Sequence, residues 1–155
     1  FDEGRHAQAF PSFGSERMGA PVMAFCRMDT KEIRLREPVM QPDALIIQDP
    51  TLLHQVDVFQ GLKPDGYVLI NTSRHFDQLG INEIAARFRR ERLVTVPATA
   101  IALKHLGRPL PNAVLLGGFA APLLKDCRPA ATKLLSSVCY SPNPNQHTGN
   151  RIAAI

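Results

Sequence analysis

Residues 44–73 read ALIIQDPTLLHQVDVFQGLKPDGYVLINTS, and they decide the fold class. Ala44-Leu45-Ile46-Ile47 is an unbroken apolar run that stops at Gln48-Asp49-Pro50, and Tyr67-Val68-Leu69-Ile70 is a second that stops at Asn71-Thr72-Ser73. Short β-branched runs of this kind, bounded by turn residues, are expected for strands buried on both faces. Between them Leu52, Leu53, Val56 and Phe59 recur at near-helical spacing before Gly61, Pro64 and Gly66 break the chain. The unit is therefore strand, helix, strand.

The same alternation continues outward. Ile81, Ile84, Ala85 and Phe88 recur at i, i+3, i+4 and i+7, which predicts an amphipathic helix with Arg87, Arg90 and Glu91 on its other side. Leu93-Val94-Thr95-Val96 predicts a further strand. Pro97 is placed to open the next helix and Gly107 to close it, with Lys104 and His105 suited to its C-terminal turn. Toward the N-terminus, Val22 to Arg27 and Glu32 to Arg36, divided by Asp29-Thr30, read as an antiparallel hairpin at a sheet edge. The expected fold is α/β: a largely parallel sheet flanked by helices, with an antiparallel hairpin, in a Rossmann-like three-layer domain. Ligands of such sheets gather at the C-terminal strand ends, so Asp49, Asn71 to Ser73 and Pro97-Ala98-Thr99 are expected on one rim.

Composition limits the function. At about 150 residues per domain, 155 residues make one compact unit. Hydrophobic residues at 45% and charged residues at 21% exclude a disordered tail or a coiled coil. Eighteen Lys and Arg against fourteen Asp and Glu leave +4, which suits an anionic ligand but not a dense nucleic-acid surface. Cys26, Cys127 and Cys139 form neither a disulfide framework nor a CxxC knuckle, so a reducing, cytoplasmic setting is expected. The apolar stretch from Pro109 to Leu124 is short and interrupted by prolines and Gly117-Gly118, a poor membrane span, and no membrane or nucleic-acid partner is expected. From Pro122 onward no period is sustained beyond a weak helix near Ala130 to Leu135, dividing the chain into a domain at 1–121 and an irregular tail at 122–155.

No P-loop, GxGxxG, HExxH or His/Cys/carboxylate cluster is present, so no catalytic residue and no metal ligand is assigned. Ser12 lies near a nucleophile-elbow pattern, but Phe10 stands where its first glycine would be. Arg87, Arg89, Arg90 and Arg92 read first as a solvated helix face and second as phosphate contacts. FPSFGSERMGAPV, residues 10–22, is either an ordinary ordered loop or a contact loop; its small residues permit close backbone approach.

Taken in order, AQAFPSFGSERMGAPVMAF (7–25), IRLR (33–36), PDALIIQDPTLL (42–53) and LGRPLPNAVLLGGFA (106–120) resemble the gamma subunit of the pyruvate and related 2-oxoacid:ferredoxin oxidoreductases. The resemblance spans most of residues 4–121. Such gamma chains open with a strand and a GxGGQG turn ahead of the segment matching Glu3 to Arg5, and end in a helix rich in Ala and charged residues, so an N-terminally truncated fragment is expected here. The resemblance implies alpha and beta subunits that hold thiamine diphosphate and Mg, a ferredoxin-like delta subunit with iron–sulfur clusters, and ferredoxin as electron acceptor. The complex would convert a 2-oxoacid, pyruvate first among them, and coenzyme A to an acyl-CoA, with this chain covering the active site and helping to bind coenzyme A. It further implies Arg108 and Asn112 as coenzyme A contacts, although Pro109 to Pro111 alter the spacing, and helix capping or surface solvation accounts for both equally well. Ser12, Glu16 and Arg17 are expected at the interface with the catalytic subunits. The competing reading is a stand-alone α/β nucleotide-binding or scaffold protein.

Overall fold

The computed structural model describes residues 6–12 and 22–123, the side chains of 121–123 excepted. Its centre is a parallel sheet of β3 (Ala44–Ile47), β4 (Tyr67–Asn71) and β5 (Leu93–Val96), in that spatial order. All three apolar runs are therefore strands, as their composition predicts. Successive side chains point to opposite faces. Leu45, Ile47, Val68 and Ile70 accordingly enter one core, while Ile46 and Leu69 enter another.

The first core is closed by the connections between strands. The segment after β3 makes a 3-10 turn at Pro50–His54, and Leu53, Val58, Phe59 and Leu62 fold back onto the sheet. The segment after β4 makes a second 3-10 turn at Phe76–Gln78 and then α1 (Asn82–Ala85). Both stretches are less helical than their spacing suggests. At 81–88 only one α-turn forms, and Arg87 N–H and Phe88 N–H donate three residues back, to Ile84 O and Ala85 O. A helix this short has little stability of its own, and packing decides its shape. The periodic residues still face inward: Ile81, Ile84 and Phe88 join the core, and the Phe88 ring lies 6.0 Å from that of Phe59.

The second core is closed by α2 (Ala98–Leu106) and α3 (Asn112–Leu123). Pro97 sits at the α2 N-cap, and Gly107 ends the helix in the left-handed conformation, φ +66°. A Cβ there would meet nothing within 4 Å, so the backbone angle alone asks for glycine. The stretch read as a poor membrane span is α3, and among the described residues no helix is long and apolar enough to cross a membrane. A Cβ on Gly118 would lie 3.0 Å from Val96 Cγ2, so its absence lets α3 settle onto the sheet.

One pairing and its place differ from the sequence expectation: the antiparallel pair is a separate two-stranded sheet and not an edge of the parallel one. β2 (Met23–Asp29) is antiparallel, but its partner is β1 (His6–Ser12) and not Glu32 to Arg36, which form no strand. Register runs from His6 opposite Asp29 to Ser12 opposite Met23. The Phe10 and Phe25 rings meet at 5.5 Å, and the Arg27 guanidinium lies over Phe10. An aromatic pair across the ladder is a contact that Ile33 and Leu35 could not have supplied. The weak helix expected near Ala130 to Leu135, and nearly all of the expected 122–155 tail, lie outside the described residues.

Candidate functional site

The C-terminal ends of the three strands converge on one rim, and Asn71 binds it together. As the last residue of β4 it is only 8% exposed, although polar. Its Nδ2 donates to Gln48 O at 2.9 Å, just past β3, and to Thr99 Oγ1 at 2.7 Å, in the first turn of α2. Thr99 N–H returns a bond to Asn71 Oδ1 at 3.1 Å. Both amide hydrogens and the carbonyl are thus used, which is the condition for burying such a side chain without a large desolvation cost. Thr72 N–H donates to Val96 O at 3.0 Å, tying the end of β5 to the same edge.

Two neighbours complete the rim. The Asp49 carboxylate accepts from Thr51 Oγ1 at 2.7 Å and Thr51 N–H at 2.9 Å, capping the turn at Pro50–His54. These bonds hold its carboxyl below the usual carboxylate range. Gln48 Nε2 donates to Asn112 Oδ1 at 3.2 Å, which brings the first residue of α3 alongside. The expected rim of Asp49, Asn71 to Ser73 and Thr99 is therefore present, and Asn112 joins it. Gln48 was missed; its signal was its place as the first polar residue after the β3 run.

The other expected site residues are distributed differently. Arg108 is exposed on the connection between α2 and α3, where its carbonyl accepts from Leu110 N–H at 2.9 Å. Ser12 closes β1 on the antiparallel pair, while Glu16 and Arg17 lie outside the described residues. Three of the four cluster arginines are engaged by their own chain. Arg89 and Arg90 pair with Asp65 and Asp77, and Arg92 donates to Asp65 O while its guanidinium lies 4.7 Å from the Tyr67 ring centre. That is the solvated-face reading, with little charge left over for phosphates.

Chemically the rim offers amides and hydroxyls in fixed orientation. Asp49 is its carboxylate, already occupied as a cap. Among the described residues no three His, Cys, Asp or Glu side chains gather as metal ligands. The Cys26 thiol is half-buried on β2, and burial pushes it up from its ordinary value. Such a surface can orient a ligand through hydrogen bonds.

The sequence profile of the family described as pyruvate ferredoxin/flavodoxin oxidoreductase matches residues 1–137. The chain is 48% identical over 120 residues to the pyruvate synthase subunit PorC of Methanosarcina barkeri, a match covering 77% of this chain and 63% of that protein. It is 45% identical over 122 residues to the pyruvate/ketoisovalerate oxidoreductases common subunit gamma of Pyrococcus abyssi, again over 77% and 63%. The chain thus spans a little less than two thirds of the length of these curated relatives. The crystal structure of the pyruvate oxidoreductase subunit PORC from Thermotoga maritima is similar with a TM-score of 0.58 and 28% identity, over 88% of this chain and 70% of that one.

Proposed function

This chain belongs to the pyruvate ferredoxin/flavodoxin oxidoreductase family, and on that premise we propose that it is the gamma component of a thiamine diphosphate-dependent 2-oxoacid:ferredoxin oxidoreductase. Its role is to cover the active site and to help hold coenzyme A. The reaction is the oxidative decarboxylation of a 2-oxoacid, pyruvate by preference, to an acyl-CoA. Thiamine diphosphate with Mg in the alpha and beta subunits supplies the electron sink, and iron–sulfur clusters in a delta subunit carry the electrons on to ferredoxin. The setting is the cytoplasm, which suits three cysteines without a disulfide framework.

The observation that carries the coenzyme A role is the Gln48–Asn112 bond at 3.2 Å. It fixes the start of α3 at the sheet rim, and the exposed Arg108 precedes it by four residues. A guanidinium followed by a fixed amide matches a diphosphate followed by a pantetheine arm, the first recognised by charge and the second by amide hydrogen bonds.

Arg108→Ala in the complete complex tests this. Loss of a charge-assisted contact raises KM for coenzyme A about 10-fold, with KM for the 2-oxoacid unchanged. Equal changes in both would remove Arg108 from the site. The stand-alone nucleotide-binding reading makes a different demand, that the chain bind ATP in preference to coenzyme A in a direct titration.

A further inference from the structure

Among the described residues, Arg34 pairs with Glu32, Lys63 with Asp43, Arg89 with Asp65 and Arg90 with Asp77. Residues 93–123 behave otherwise. They contain no Asp or Glu, and their ionisable side chains are Lys104, His105 and Arg108, all exposed. Among the described residues no carboxylate pairs with Lys104 or Arg108. The same stretch carries exposed leucines. Leu103 and Leu106 lie three residues apart, neighbours on the helix surface, and are 55% and 58% exposed, while Leu110 beyond the Gly107 turn is 53% exposed. The inward side of α2 is instead Ala98 and Ala102, both fully buried.

An exposed apolar stripe bordered by polar residues is the usual mark of a protein interface. The charge pattern narrows what fits. Lys104 and His105 stand beside the leucines with no counter-charge from their own segment, so the complementary surface is an apolar knob with carboxylates at its border. We propose that the Leu103–Leu106–Leu110 stripe docks an acidic-bordered apolar patch on a neighbouring subunit of the oxidoreductase complex. This rests on the gamma-component reading and deepens it, naming the surface through which the chain is held. Docking there leaves the Asn71 rim, at the start of α2, tied to a helix that the partner itself grips, so the neighbour would set the position of the rim.

The test is co-expression of the full chain with the thiamine-binding subunits, capture through a tag on one of those, and measurement of the amount of this chain retained. The wild-type chain is retained in stoichiometric amount. Leu103→Glu with Leu106→Glu places carboxylates against carboxylates and lowers retention at least 10-fold, and Lys104→Glu lowers it by a smaller factor that depends on salt. Met40→Glu, at a residue 75% exposed elsewhere on the surface, leaves retention unchanged. Both leucines are exposed, so the double variant keeps the wild-type melting temperature, and that measurement separates lost docking from lost folding. Wild-type retention with full retention of the double variant would overturn the docking surface alone. Failure of the wild-type chain to be retained would overturn the gamma-component reading with it. A wild-type chain that dimerises by itself in sedimentation, while the double variant stays monomeric, would assign the stripe to a second copy and overturn the proposal.

Discussion

The two faces of the parallel sheet are filled by different means. On the face of Leu45, Ile47, Val68 and Ile70, the covering segments are short turns that reach the strands with Leu53, Val58, Phe59, Leu62, Leu79 and Ile81. On the face of Ile46 and Leu69, two longer helices approach with Ala98, Leu115 and Gly118, and a Cβ on Gly118 would crowd the Val96 side chain. Interiors are packed to near-crystal density either way. Large side chains bridge the gap left by irregular covering segments, whereas the regular helices combine large side chains such as Leu115 with small residues, Ala98 and Gly118, where they sit nearest the sheet. The electrostatics follow the same division: the irregular covering carries ion pairs with Asp65 and Asp77, and the helical one has no carboxylate at all.

Substitutions at three positions would break or sharpen this contrast. The largest effect belongs to the side-chain-filled face. Leu45→Ala, at a fully buried position, opens a cavity among rigid neighbours and costs about 3 kcal/mol in urea unfolding. A loss well under 1 kcal/mol would show that the turns can collapse inward, and the contrast would fail. On the helix face the dangerous change is the reverse. Ala102→Leu overfills the space inside α2 and costs about 2 kcal/mol, whereas Ala102→Gly costs about 1 kcal/mol through helix propensity. Equal tolerance of leucine and alanine there would mean that α2 is not closely seated.

The smallest effect lies where the chain leaves β3 for the irregular face. Thr51 holds the Asp49 carboxyl low, so this cap contributes fully above the unfolded pKa of about 4 and is lost as pH falls through the lower folded value. Asp49 is exposed to water, which screens the bond, and Asp49→Ala costs about 0.5 kcal/mol near neutral pH. The variant and the wild type should converge in stability once the pH has fallen through the lowered folded value of Asp49. A difference that persists undiminished in acid would assign the cap to shape and not to charge.

Much of this contrast could be read in the chain beforehand, and some could not. Strands β3, β4 and β5 announced themselves as apolar runs ended by Gln48, Asn71 and Pro97, and the rim followed from where those runs stop. Pro97 and Gly107 marked α2 because each fixes a backbone angle that a helix end needs. α3 was hidden, since a helix apolar on nearly every side shows no period, and its glycines and proline read as interruptions. The partner of β2 was hidden for another reason. Alternation marks Val22 to Arg27 as a strand but not which strand it meets, and His6–Ser12, with Gln8 and Pro11, carries a weak strand signal. The Gln48–Asn112 bond joins residues 64 apart in sequence, a separation over which local pattern carries no information.

The order β3-β4-β5, in which spatial neighbours are also neighbours in sequence, bears on how the domain assembles. Each parallel pairing closes a loop of about two dozen residues, and the segment that closes it is the one that covers the new core. Loop-closure entropy grows only slowly with length, so these are inexpensive crossings for a parallel sheet. On a ribosome, β3 and β4 can dock before β5 has left the exit tunnel, and the helical covering arrives last on a platform already laid down. Synthesis and folding then run in the same direction.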